Sequence, residues 1–269
     1  MTALATHFGY EFRSALRSPS LLLLDYLFPL GFYVLMGMVM IPINPDFGTV
    51  MIPAMALFAV MTATVLGLPG PHVDAREAGV FRGYRINGIP TAAILGVPAA
   101  TTAIHALIAA SLIAVSAPLV FDVAAPQQPV ALVAVLLIAA TVFTGFGLLF
   151  GAVSSDTRMT VIWSQAVFLP SMLIGGMMIP VELLPSGMRT VSMLLPTTHL
   201  MALAEGWAYG RDTLIPATLA APALLASGLI AYVLTARGFS WEPGGHDRGL
   251  HPATALLALA PLGLTVLFV

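Results

Sequence analysis

Apolar positions in this chain come in runs far longer than any amphipathic period. Six such runs, at about 21–41, 50–70, 91–117, 130–152, 160–179 and 214–236, are separated by short polar or turn-rich stretches. Each run is long enough to cross a hydrocarbon core as a helix of ~20 residues. Helices are the expected form, because lipid offers no partner to backbone N–H and C=O groups. The pattern therefore predicts an all-α integral membrane protein with six transmembrane helices. Before the first run, residues 3–18 are amphipathic. Phe8, Phe12, Ala15 and Leu16 lie on one side, with Glu11, Arg13, Arg17 and Ser18 largely elsewhere. That predicts an interfacial N-terminal helix, broken by Pro19.

Two stretches do not fit a plain up-and-down pattern. Residues 180–212 are apolar, yet Pro180, Pro185, Pro196, Gly206 and Gly210 cut them into pieces too short to span. The expected form is an external re-entrant pair of short helices between the fifth and sixth spans. After residue 242 comes a Gly/Pro-rich polar patch, and then residues 253–269 are apolar again. That run of about seventeen sits at the lower limit for a span. The pattern leaves open whether it is an extra C-terminal helix or an interfacial tail. The chain divides accordingly into a transmembrane domain over 1–242 and a polar linker plus hydrophobic tail over 243–269.

Composition narrows the function. Only 8% of the 269 residues are charged and 59% are hydrophobic, where a soluble domain carries about 25% charged residues. The net charge of −2 gives no reason to expect nucleic acid as a partner. There is no cysteine, so thiolate metal sites and cysteine nucleophiles are excluded. All ten basic residues are arginine. Without lysine there is no Walker A motif, and ATP is not bound in the P-loop manner. Lysine-free, Ala- and Arg-rich usage points to a bacterial genome of high G+C content.

Arginine bias sets the expected orientation. With the N-terminus in the cytoplasm, the inner segments hold Arg13, Arg17, Arg76, Arg82, Arg85, Arg158, Arg237 and Arg248, and the outer ones only Arg189 and Arg211. The densest polar stretch is His72–Pro90, with five of the 22 charged residues. Read as one helix it places Val73, Val80, Phe81 and Tyr84 on one face, with Arg82 opposite and Arg85 at the flank. An apolar face on an aqueous loop calls for a protein surface to cover it.

This loop and the region before the sixth span resemble the membrane subunits of ABC-2 type ABC transporters. Arg76-Glu77-Ala78-Gly79-Val80-Phe81-Arg82-Gly83-Tyr84-Arg85 is similar to the run these proteins carry after span two. Gly175-Gly176, Pro180, Leu184-Pro185, Pro196 and His199 follow the family's order ahead of span six. Gly83 stands where an arginine is usual and Gly88 where the first proline is usual, and both glycines weaken helix. The resemblance covers residues 1 to about 242.

It implies an export subunit for a hydrophobic or amphipathic cargo, such as a drug or antibiotic, a lipid or a lipid-linked glycan. Two copies of a separate ATP-binding subunit would hold ATP and magnesium, so this chain would bind no cofactor and be no enzyme itself. A second transmembrane subunit, as homo- or heterodimer, would complete the path in the lipid of the cell membrane. Residues 74–88 would be the coupling helix. Val80, Phe81 and Tyr84 would be buried on the partner, Glu77, Arg82 and Arg85 would set register, and Gly79 would permit close approach or interrupt the helix. Gly175, Gly176, Pro180, Pro185, Pro196 and His199 would form the external gate.

Within the spans, Asp25 and His105 are the candidate polar sites. Asp25 is expected to snorkel or to pair with an arginine of the N-terminal segment. His105 is expected to pack between helices. The spacing of His199, Glu205 and Asp212 matches no known metal pattern. The alternatives weighed are an intramembrane enzyme, for which neither Asp25 nor His105 has a nucleophile partner, and a secondary transporter, for which no inverted repeat is evident.

Overall fold

The structure is a computed structural model and describes residues 3–242 and 250–269. It is all-helical among the described residues. An amphipathic helix α1 (Ala3–Ala15) leads into α2 (Pro19–Ile43), followed by α3 (Phe47–Glu77), a short α4 (Val80–Ile86), α5 (Thr91–Phe121) and α6 (Pro129–Val153). Then come α7 (Thr157–Ile174), two short helices α8 (Ser186–Ser192) and α9 (Pro196–Leu203), and α10 (Ala217–Gly238). A last helical segment, α11, covers Pro252–Phe268.

Five of these helices, α2, α3, α5, α6 and α10, are long and apolar enough to cross a membrane. They coincide with five of the six apolar runs. The run at 160–179 is helical only to Ile174 in α7, whose 18 residues include Arg158 and Gln165 and are less apolar than the rest. The run at 50–70 is the start of a longer rod, since α3 continues to Glu77.

Burial ranks the helices. The most apolar stretch of α3 is 89% buried, against 17% for α2. So α3 is the axis of the bundle, and α2 shows Leu27, Leu35, Met38 and Ile43 to its surroundings. Small residues let α6 come close to its neighbours. A Cβ added at Gly147 would strike the Thr64 carbonyl of α3, and one at Gly145 would crowd Tyr232 and the Gly228 carbonyl of α10. Such contacts are how helices associate where lipid removes the hydrophobic drive between them.

The middle of α3 widens into a π-type turn over Thr62–Gly67. The cause lies two residues further on. Pro69 has no N–H, so the Val65 carbonyl loses its helical partner. Ser164 of α7 donates its hydroxyl to that carbonyl at 2.7 Å, which satisfies it and ties α7 to the axis.

Candidate functional site

The polar loop after α3 is two helices with a corner between them, not one continuous helix over 74–88. Gly79 makes the corner at φ 75°, in the left-handed region. Its N–H reaches the Arg76 carbonyl at 3.1 Å, as in a helix stop. A Cβ at Gly79 would meet nothing within 4 Å, so its role is to interrupt the helix, not to let backbones approach. Beyond the corner, Val80–Ile86 is helical in spite of Gly83.

The last turns of α3 are clamped to the tight connection between α6 and α7. Arg76 is buried and donates to the carbonyls of Gly151 at 3.3 Å, Ser154 at 2.5 Å and Ser155 at 3.5 Å. Carbonyls at and just beyond the end of a helix need such partners, and a cation there also suits the helix dipole. Asp74 accepts the Thr157 hydroxyl at 2.9 Å on the same connection. Asp156 caps α7 by accepting the Met159 N–H at 3.0 Å. That bond and the Ser155 hydroxyl hold its carboxyl below the ordinary carboxylate value. Arg76 thus belongs to the frame of the corner and not to its surface.

The apolar residues of the loop are placed differently from the expectation. Phe81 is only 4% exposed and does not wait for a partner. Its ring lies 4.9 Å from that of His72 in α3 and 5.5 Å from that of Phe239, which follows α10. Phe239 in turn meets Trp241 edge-on at 5.1 Å, and the Arg85 guanidinium sits 5.7 Å over the Trp241 ring. Tyr84 turns toward α1, with its ring edge-on to His7 at 5.7 Å. The corner is short of core, so the aromatic residues of α4 are used to fasten α4 to the bundle. The exposed residues include Glu77, Val80, Arg82, Arg85 and Ile86. Ile86 is 78% exposed and was passed over in the sequence, where its place on the rim of a seven-residue helix is not visible. The contact of Phe81 with Phe239 joins segments far apart in sequence, and the corner at Gly79 that folds Phe81 back onto His72 is not a feature of periodicity.

At the opposite end of the bundle, α8 and α9 form the predicted pair of short helices. Pro180, Pro185 and Pro196 each stand at the start of a short helix, before or at its first residue, where a missing N–H costs nothing. Gly175 ends α7, and its absent side chain lets Thr197 approach, whose hydroxyl donates to the Ser171 carbonyl at 3.3 Å. Gly176 turns the chain at φ 87°. Pro196 to Met201 are all buried, His199 completely, so α9 is part of the core and not a cover laid over it. His199 Nε2 is hydrogen-bonded to Thr265 Oγ1 of α11 at 3.0 Å. Glu205 faces a small space of about 70 Å³ beside Glu182 and Thr213. Burial raises its carboxyl, with Arg211 opposing and Glu182 adding. Among the described residues, no three of His, Asp and Glu converge as metal ligands, and His199, Glu205 and Asp212 stay apart.

The two intramembrane polar residues have distinct settings. His105 packs between helices as expected, with Nδ1 2.6 Å from the Tyr26 hydroxyl and its ring stacked on Phe12 at 4.3 Å. Asp25 does not snorkel, and it pairs with no arginine among the described residues. It is 3% exposed, and its Oδ1 lies where a side chain on Gly67 would meet it. Arg13 and Arg17 are on the exposed side of the N-terminal segment, while Asp25 faces the axis helix.

A bundle of long apolar helices with a short polar helix hung from its axis and a folded-back helix pair at the other end has the build of a polytopic membrane protein. The family model for ABC-2 type transporters matches residues 2–206, and the chain belongs to that family. The match includes the corner, the connection it clamps and α9, and stops before α10 and α11. Neither the curated proteins nor the solved structures contain a match.

Proposed function

We propose that this chain is the transmembrane subunit of an ATP-driven exporter and that α4 is where a separate ATP-binding subunit docks. The observation that carries the reading is the corner itself. A seven-residue helix is too short to be stable alone, yet this one is fastened to the axis helix through Phe81 and stands next to the Arg76 clamp. It holds Val80, Arg82, Arg85 and Ile86 outward, with Glu77 beside them. An exposed apolar pair flanked by fixed charges suits a partner that buries the first and reads the second. Phe81 and Tyr84 act as the fastening of this surface, and Gly79 sets its angle.

Two copies of the ATP-binding subunit hold ATP and magnesium, and this chain binds neither. A second transmembrane subunit, identical or related, completes the path. The exposed apolar side of α2 is the available surface for it or for lipid. In the sequence, eight of the ten arginines fall in the segments that are inner when the N-terminus is cytoplasmic, which supports that orientation; the location is a bacterial cell membrane and transport is outward. A cargo that is hydrophobic or amphipathic, such as an antibiotic, a lipid or a lipid-linked glycan, suits the apolar bundle. The external pair from Gly175 to His199 then serves as the outer gate.

The test is co-expression with a tagged ATP-binding subunit at matched membrane levels. The double variant Val80→Asp, Ile86→Asp changes only exposed positions. It should insert normally and lose most of the co-purified partner along with transport-coupled ATP hydrolysis. Undiminished recovery of the partner would overturn the docking role of α4.

A further inference from the structure

We infer that α11 is a further membrane crossing, and that it seats the re-entrant pair from behind. Two contacts along α10, and a third on the α8–α9 pair, show how it runs. Leu250 packs where a side chain on Gly238 would stand, at the end of α10 nearest the α4 corner. Halfway up, Ser227 donates its hydroxyl to the Ala258 carbonyl. At the far end, Thr265 meets His199, and Gly263 approaches Leu194 between α8 and α9. The segment therefore runs antiparallel to α10 over the height of the bundle.

Its length has to be explained, because seventeen residues as an α-helix fall short of a bilayer core. The backbone supplies the difference. Pro252–Leu259 and Thr265–Phe268 are 3₁₀ helix, and only Ala260–Leu264 is α. A 3₁₀ helix rises ~2.0 Å per residue against ~1.5 Å for an α-helix, which brings Pro252–Phe268 to about 31 Å, close to the ~30 Å of hydrocarbon.

The two faces of α11 are sorted for this position. Ala255, Ala258 and Leu262 are buried against the bundle. Leu256, Leu257, Leu264, Leu267 and Phe268 point away from it, and from Leu250 to Val269 there is no Asp, Glu, Lys or Arg. An outward face that is apolar over its whole length suits lipid at every depth. An interfacial tail would instead carry a polar face toward water. At the top, the Thr265 hydroxyl gives the buried His199 imidazole a hydrogen-bond partner.

The labelling test uses the absence of native cysteine. Gly-Ser-Cys is appended after Val269 in one variant and Glu242→Cys is made in another, each in otherwise unchanged full chain. Intact cells and permeabilised cells are treated with a membrane-impermeant maleimide. The expected result is that the two cysteines label from opposite sides of the membrane, the appended one from outside. Labelling of both from the same side overturns this crossing. An appended cysteine inside with residue 242 outside would keep the crossing and reverse the orientation assumed for the exporter, so the two readings fail separately. Seating is tested by Leu194→Cys with Gly263→Cys. Oxidation should cross-link them within one chain. If α11 lay at the inner interface, they would be ~30 Å apart, and failure to cross-link overturns the seat.

Discussion

Replacing Phe81 with alanine separates the fastening of α4 from its docking. Phe81 is almost wholly buried between His72 and Phe239. Removing a buried phenylalanine costs about 3–5 kcal/mol in protein cores. The lower figure suits a site at the edge of the bundle that can partly close. A loss of about 3 kcal/mol shifts the balance between attached and detached α4 by about 150-fold, at about 1.4 kcal/mol per factor of ten. The assay is hydrogen exchange of the amides of residues 80–86 in the isolated subunit, reconstituted in lipid nanodiscs without its partner. Exchange there should speed up by one to two orders of magnitude in Phe81→Ala, while α5 and α6 stay as protected as before. Ile86→Ala, at a residue that is mostly exposed, should leave exchange unchanged and still weaken recovery of the ATP-binding subunit. Unchanged protection of residues 80–86 in Phe81→Ala would refute the claim that this ring holds the helix.

Two further outcomes follow from the same corner. Arg76→Leu leaves the Gly151 and Ser154 carbonyls without their donor, and each lost charge-assisted bond is worth about 1.5–3 kcal/mol, so the melting temperature should fall and proteolysis should reach the Ser154–Arg158 connection. The Asp156 carboxyl is held below its ordinary 3.8 first by the Met159 N–H and then by the Ser155 hydroxyl. Its contribution to stability is therefore full above 3.8 and is lost as pH falls through the lowered value. In Asp156→Asn, melting followed from neutral to strongly acidic pH should lack that part of the acid-side decline.

How far the sequence could be read depended on the distance over which the determining contact acts. Run length and proline placement are local, and they predict the bundle, α1 and the split of 180–212 into short helices. The interruption at Gly79 was also visible as an option, since glycine alone takes a positive φ freely. The face of α4 was not. Periodicity put Val73, Val80, Phe81 and Tyr84 on one apolar side, but the break at Gly79 leaves Val80 exposed and sends Phe81 and Tyr84 to different neighbours within the bundle. That depends on Phe239 and His7, far away in sequence. Asp25 was misread for the same reason, because its surroundings come from α3. The tail was undecidable as long as each residue was assigned the rise of an α-helix.

The widened turn in α3 has a mechanical meaning. From Phe47 to Glu77 the axis helix is one rod, joined to the Gly79 corner at one end. At the other end the Thr49 carbonyl accepts from Arg211, in the stretch between the re-entrant pair and α10. A rod of that kind carries a push along its length almost without loss, because compressing a helix means shortening every hydrogen bond at once. Twist and bend are another matter, and they gather where the ladder is already loosened, at Thr62–Gly67. The brace at that point is the Ser164 hydroxyl, from the helix whose base is tied to the same corner. Drive shaft and brace thus share one footing, and a stroke delivered there reaches both together.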